Sequence, residues 1–175
     1  MKNTIVYHHT GNPAQKFQTD SVIAQHLRES KIRQAGAYHY IIEFDGTIVQ
    51  LHNEDFIGNH AGNWAVNLIS IAICLAGDFT KMKPNEAQLK SMTNLTLSLQ
   101  TRWGIPDSNI KLHREVRLNP TACPGTDLRA LYIERRQKGK EMKIVQLQHA
   151  EKRAKGQRLL LIQRTLARLL APFNS

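Results

Sequence analysis

Ile69-Ser70-Ile71-Ala72-Ile73-Cys74-Leu75 is a continuous apolar run, and its reading decides the fold. A run of this kind is best explained as a central strand buried on both faces, as strands of parallel sheets are. Working outward, the flanking segments alternate between helical and extended patterns. Upstream, Tyr38 to Phe44 and Thr47 to Leu51 read as a β-hairpin, because Asp45-Gly46 is a preferred two-residue turn. Before it, Asp20 to Lys31 reads as a helix with Val22, Ile23, His26 and Leu27 on one face, and Ile5 to His8 reads as a strand. Downstream, Pro84 suits a first helical position, opening a helix to about Trp103 that buries Leu89, Met92, Leu95, Thr96 and Leu99. Ile110 to His113 is expected as a short strand, and Thr126-Asp127 can cap a helix through Leu128, Leu131 and Tyr132. The fold class is α/β.

Two stretches carry metal-binding chemistry. Thr4-Ile5-Val6-Tyr7-His8-His9-Thr10 ends an apolar run in paired histidines, and His113-Arg114-Glu115 is followed ten residues after His113 by Cys123-Pro124-Gly125. Two imidazoles and a thiolate suit zinc, and three protein ligands leave a fourth position for water, the layout of a catalytic site. Each part also has an ordinary reading. Paired histidines at a strand end are commonly plain polar residues, and a cysteine before Pro-Gly can be a small buried hydrophobe in a turn. His9 follows His8 on a strand, so its side chain should point to the opposite face. Cys74, inside the central run, reads as a buried strand thiol. If Cys123 binds metal, no disulfide can form within the chain.

Between the two stretches lie further ordered blocks: Ala37-Tyr38-His39-Tyr40-Ile41-Ile42, Asp45-Gly46-Thr47-Ile48, Gly58-Asn59-His60-Ala61 and Asn67-Leu68-Ile69-Ser70-Ile71-Ala72-Ile73. With His113 to Gly125 they resemble the zinc N-acetylmuramoyl-L-alanine amidases of the amidase-2 family, which includes phage lysozyme-type amidases and peptidoglycan recognition proteins. The resemblance covers residues 4 to about 131. It implies a central mixed β-sheet flanked by helices, with one Zn2+ per chain held by His8, His113 and Cys123 at the margin of a groove open to a polymer. The implied reaction is hydrolysis of the amide joining the lactyl group of N-acetylmuramic acid to the L-alanine of the stem peptide. Zinc suits that reaction, because it lowers the pKa of a bound water to about 7 and polarises a carbonyl.

The resemblance also assigns roles to single residues. Tyr38 occupies the catalytic tyrosine position, where its hydroxyl would orient water or steady an oxyanion; the ordinary reading is an aromatic residue packing on the sheet. Thr121 stands where phage lysozyme-type amidases carry lysine and catalytic peptidoglycan recognition proteins carry threonine. It can offer only a neutral hydroxyl, roughly half as strong a partner as a charged donor, and it also reads as a turn threonine after Pro120. His60, Asn67 and His39 are carried as substrate-binding residues. His39 reads as a partly buried histidine before it reads as a residue that orients a ligand, and Asn67 and Ser70 also read as supports of loop and strand. The leading function is a peptidoglycan hydrolase, a phage or prophage endolysin. The alternatives are a noncatalytic peptidoglycan-binding module and a cytoplasmic amidase recycling muropeptides. Binding-only relatives usually lack the cysteine ligand, so Cys123 favours catalysis.

Length and composition agree with one catalytic domain, residues 1–138, followed by a basic helical tail, residues 139–175. Of the net charge of +10, residues 132–175 carry +8, with 11 Lys and Arg against 3 Asp and Glu. Arg135 to Lys143 is polar, and Gly139 reads as a helix end or hinge. From Ile144 to Leu170 the pattern is helical, with Leu159, Ile162, Leu166, Leu169 and Phe173 on one stripe, widened by Leu160, Leu161 and Leu170. This stripe can dock on its own domain, on a second copy in a homo-oligomer, or on an anionic membrane or wall polymer. There is no recognised nucleic-acid motif, and the 6% aromatic content is low for a base-stacking platform. The N-terminus runs straight into the first strand without an export signal, and no stretch is apolar enough to span a membrane. The expectation is cytoplasmic accumulation and action on the wall after holin-type release or from outside.

Overall fold

The apolar run near residue 70 becomes the middle strand of a five-stranded sheet. The computed structural model describes residues 1–29 and 37–169. The chain falls into two compact units, Met1–Arg135 and Arg136–Ser175. In the first unit the strands are β1 (Thr4–His9), β2 (Tyr40–Ile42), β3 (Ile48–Gln50), β4 (Ser70–Leu75) and β5 (Ile110–Leu112), in the spatial order β3-β2-β4-β1-β5. β1 is parallel to β4 and to β5, β2 is parallel to β4, and β3 returns antiparallel to β2, so the sheet is mixed. Every residue of β4 is buried, which is why its sequence lacks the polar alternation of a one-sided strand.

Among the described residues five α-helices are present: α1 (Thr19–Glu29), α2 (Trp64–Ile69), α3 (Glu86–Trp103), α4 (His113–Val116) and α5 (Leu128–Leu169). Side chains alternate along a strand, so the register sorts them onto two faces. Ile5, Tyr7, Tyr40, Ile42, Ile71, Ile73, Leu75, Ile110 and Leu112 form the larger core with Met92, Leu95 and Leu99 of α3 and Leu128 and Tyr132 of α5. The opposite face carries Ile41 and Cys74, packed with Val22 of α1, Tyr38 and Leu51. His8 lies on this second face, because its Cα pairs with that of Cys74. The N-terminus of α1 is held by Glu43, just after β2, whose buried carboxylate accepts the Gln18 and Thr19 N–H groups at 2.9 and 2.8 Å.

Several boundaries differ from the sequence expectation, each for a local reason. α3 begins at Glu86 rather than Pro84, because Asn85 and Gln88 form a reciprocal capping box that starts the helix after the proline. The hairpin turn has three residues instead of two. Glu43 N–H bonds the Thr47 carbonyl, Gly46 N–H bonds the Glu43 carbonyl, and Gly46 takes the left-handed φ of +87° that this loop type needs. Ile69 ends the unforeseen helix α2 instead of opening β4. Gly139 does not end a helix, for α5 runs through it. A helical glycine costs only about 1 kcal/mol relative to alanine, and Lys138, Lys140 and Glu141 around it favour helix. Asp127 caps α5 as expected, accepting the Ala130 N–H at 2.9 Å. Lys31, Leu170 and Phe173, and the side chain of Leu169, lie outside the described residues.

Candidate metal centre

The sheet delivers its two histidines to one end. β1 and β5 pair in parallel from Ile5 with Ile110 to Tyr7 with Leu112. The residue after each pair is His8 on β1 and His113 beyond β5. His113 is the first residue of α4 rather than the last of the strand, and the ring centroids of His8 and His113 are 4.3 Å apart. α4 is anchored by Glu115, which accepts the Leu112 N–H at 2.9 Å and grips Arg129 of α5 at 2.8 and 3.0 Å.

Cys123 arrives on a loop tied to the same turn. Arg114 N–H donates to the Cys123 carbonyl at 2.9 Å, the Arg114 guanidinium reaches the Gly125 carbonyl at 3.3 Å, and Cys123 N–H donates to Thr121 Oγ1 at 3.2 Å. Gly125 has φ +82°, and a Cβ there would stand 2.3 Å from the Phe79 carbonyl carbon and 2.5 Å from Thr80 N. The loop can press this closely on the backbone after β4 only with glycine at that position.

One donor atom from each of His8, His113 and Cys123 then lies within 4.8 Å of the others. Both ring nitrogens of His113 are buried without a well-aligned hydrogen bond among the described residues, the Ala61 backbone being the group that bears on the ring. An unsatisfied buried polar group costs about 1–3 kcal/mol, and a bound cation would satisfy one of these nitrogens. Two imidazoles with a thiolate are zinc donors, so the residues present fit that ion.

The electrostatics prepare the donors unequally. Burial, reinforced by His60 and His113, holds His8 well below the usual histidine range. Burial and the nearby Arg117 bring His113 down to about 4. Both imidazoles are therefore neutral at neutral pH. Burial pushes the Cys123 thiol up to about 11, opposed by the His9 N–H at 3.4 Å from Sγ and by Arg114 and Arg117. A metal at this position would have to displace the thiol proton.

Tyr38 comes to the same place, its ring centroid 4.9 Å from that of His8 and 5.0 Å from that of His26. His26, on α1, accepts the Ala37 N–H at 3.0 Å. Its sequence position on an apolar helix face marked it only as a core residue. Thr121 is half-buried, and its oxygen is the acceptor for Cys123 N–H, a contact that leaves the hydroxyl proton available.

The three residues expected to bind substrate lie behind the donors. His60 is buried, with Nδ1 3.0 Å from His8 Nε2 and Nε2 2.9 Å from Ser70 Oγ. Asn67 is buried and clamps the loop, accepting the His60 and Ala61 N–H groups at 3.3 and 2.8 Å. His39 is wholly buried. Its Nδ1 accepts the Ala72 N–H of β4 at 2.9 Å and its Nε2 donates to the Phe56 carbonyl at 2.9 Å. His9 points away from the donors, as expected, and accepts the Phe79 N–H at 3.0 Å.

A mixed sheet that gathers a His-His-Cys set at one end defines an α/β protein with a candidate metal site. This chain belongs to the N-acetylmuramoyl-L-alanine amidase family, whose profile matches residues 2–126. The endolysin of Escherichia phage T7 is 35% identical over 97 residues, covering 53% of this chain and 60% of that one. The chain thus spans less than two thirds of the curated relatives it matches. Among solved structures, the N-acetylmuramoyl-L-alanine amidase LysC from Clostridium intestinale aligns with a TM-score of 0.60 at 29% identity, over 71% of this chain and 77% of that one. Drosophila PGRP-LB aligns with a TM-score of 0.63 at 28% identity, over 74% and 78%.

Proposed function

We propose that this chain is a zinc-dependent N-acetylmuramoyl-L-alanine amidase that hydrolyses peptidoglycan and serves as a phage or prophage endolysin. The observation that carries the reading is the gathering of His8, His113 and Cys123, all buried or half-buried, with one donor atom of each within 4.8 Å of the others. His8, His113 and Cys123 would hold one zinc ion per chain. When bound, zinc supplies Lewis-acid polarisation of the scissile carbonyl and a water of lowered pKa, near 7.

The chain's own residues do the rest. Tyr38, whose ring lies beside that of His8 and whose side chain is also hydrogen-bonded to Cys74, would turn its hydroxyl to the oxygen on which negative charge develops, where a donor contributes most. Thr121, next to the thiolate loop, adds a neutral hydroxyl donor. His60 supports His8 and Asn67 holds the His60 loop, while His39 ties β4 to the Phe56 carbonyl, so the polar atoms of all three are occupied inside the protein. Residues 1–138 carry the chemistry, and residues 139–175 deliver it.

That tail has an excess of cationic side chains, and Leu159, Leu160, Leu161, Ile162 and Leu166 are exposed. It suits attachment to an anionic membrane or wall polymer, through attraction that salt weakens. Among the described residues no helix is long and apolar enough to cross a membrane.

The reading is tested by digesting purified peptidoglycan and analysing the products by mass spectrometry. The expected products are glycan strands with free lactyl carboxyl groups and stem peptides with a free N-terminal L-alanine. A binding-only module would sediment with the wall and release neither.

A further inference from the structure

His8 is braced from behind by a chain of hydrogen bonds whose direction can be worked out from one end. The Val66 carbonyl can only accept, so Ser70 Oγ, 2.6 Å away, must spend its single proton on it. Ser70 Oγ is then an acceptor for its other neighbour, and His60 Nε2, at 2.9 Å, carries the proton between them. His60 is buried between His8 and Ser70, and with its ring proton on Nε2 its Nδ1 bears a lone pair. That lone pair faces His8 Nε2 at 3.0 Å, which places the His8 proton on Nε2. His8 Nδ1 is left unprotonated on the side of Cys123 Sγ, 3.9 Å away.

We propose that His60 and Ser70 are positioning residues that hold His8 as its Nε2–H tautomer and so commit Nδ1 to the metal. The proposal rests on the zinc reading of the site. Metal-binding histidines generally donate their second ring N–H to a carboxylate, a backbone carbonyl or a water, which fixes the tautomer and the ring plane. In this chain a second imidazole takes that place, backed by a serine and a helix carbonyl. The surroundings show how the relay is kept in register. Asn67 holds the His60 and Ala61 N–H groups, and the buried Lys2 ammonium donates to the carbonyls of Ser70 and Asn67 at 2.8 and 3.4 Å. His113 has only the Ala61 backbone against its ring, with no side-chain partner of good geometry among the described residues.

Long-range proton–nitrogen correlation NMR on the metal-free wild-type protein reads the tautomers directly. The expected result is a proton on Nε2 of both His8 and His60, with the His8 tautomer unchanged on adding zinc. Zinc affinity, measured by competition with a chromophoric chelator, should fall roughly 10- to 100-fold in His60→Ala, the usual cost of losing such a partner. The fall should be smaller in Ser70→Ala, and His60→Asn, which can keep an acceptor facing His8, should recover part of the loss. A proton on His8 Nδ1 in the metal-free wild type overturns the proposal. So does wild-type zinc affinity in His60→Ala and Ser70→Ala proteins that melt as folded domains. If His60→Ala does not fold, the wild-type tautomers still decide. A wild type that binds no zinc yet shows both Nε2–H tautomers removes the zinc reading instead, and with it the metal half of this proposal.

Discussion

Replacing Gly125 by alanine adds one methyl group at the point where the Cys123 loop meets the sheet. Its cost can be worked from two observations. Gly125 has φ +82°, a conformation that costs a residue with a side chain roughly 1–2 kcal/mol. The new Cβ would stand 2.3 Å from Phe79 C, against 3.4 Å for ordinary contact, so the loop must retreat by about 1.1 Å. The obstructing atoms are backbone of Phe79 and Thr80 and cannot rotate away. Zinc–ligand distances tolerate only about 0.2 Å, so a Cys123 carried on a retreating loop leaves the site. We expect Gly125→Ala to lower stability by about 2 kcal/mol or more in urea denaturation of the metal-free protein. Zinc affinity by chelator competition should fall at least 10-fold, while Gly139→Ala, which meets nothing within 4 Å, should leave zinc affinity unchanged and raise stability by up to about 1 kcal/mol through helix propensity. Wild-type zinc affinity in Gly125→Ala would refute the claim that this loop is held rigidly for the metal.

Tyr38→Phe removes only the hydroxyl and should cost roughly 10²-fold in turnover, by analogy with a lost oxyanion donor, with zinc content unchanged; undiminished turnover would make Tyr38 a packing residue. His39, brought down to about 4 by burial, is neutral when folded but gains a proton below about 6.5 when unfolded. Its contribution is therefore fully present above pH 6.5 and is lost as the pH falls towards 4. From this residue alone the loss between pH 7 and pH 5 is about 2 kcal/mol, which denaturation of the metal-free protein at the two pH values will show and His39→Gln will reduce. A chain ending at Lys138 should retain zinc and hydrolyse soluble muropeptides at close to the full-length rate but act more slowly on whole cells, with the gap closing as salt screens the tail. Loss of zinc or precipitation of that shortened chain would mean that the tail belongs to the core.

What the sequence made legible followed from periodicity and from the family resemblance. β4 was readable because a strand buried on both faces needs no polar alternation, and His8, His113 and Cys123 were singled out together by the resemblance, three residues whose donor atoms the fold brings within 4.8 Å of one another. The local failures share a cause. Whether Pro84 or Asn85 starts α3, and whether His113 ends a strand or opens a helix, depends on single hydrogen bonds, Asn85 to Gln88 and Glu115 to Leu112, that periodicity does not register. His60, Asn67 and His39 illustrate a second limit. A polar residue in a glycine-flanked loop looks available to substrate until the fold shows its atoms bonded inside, as His60 is between His8 and Ser70. His26 carried no signal at all, since its contact with Tyr38 joins a helix to a segment beyond it.

The central claim is that His8, His113 and Cys123 hold one zinc ion. X-ray absorption at the zinc edge tests it most directly. The account predicts one zinc per chain with a single sulfur at about 2.3 Å and nitrogen or oxygen neighbours at about 2.0–2.1 Å, and the loss of the sulfur shell in Cys123→Ser. A wild-type protein that retains no zinc after purification in its presence, or whose zinc shows no sulfur neighbour, would contradict it.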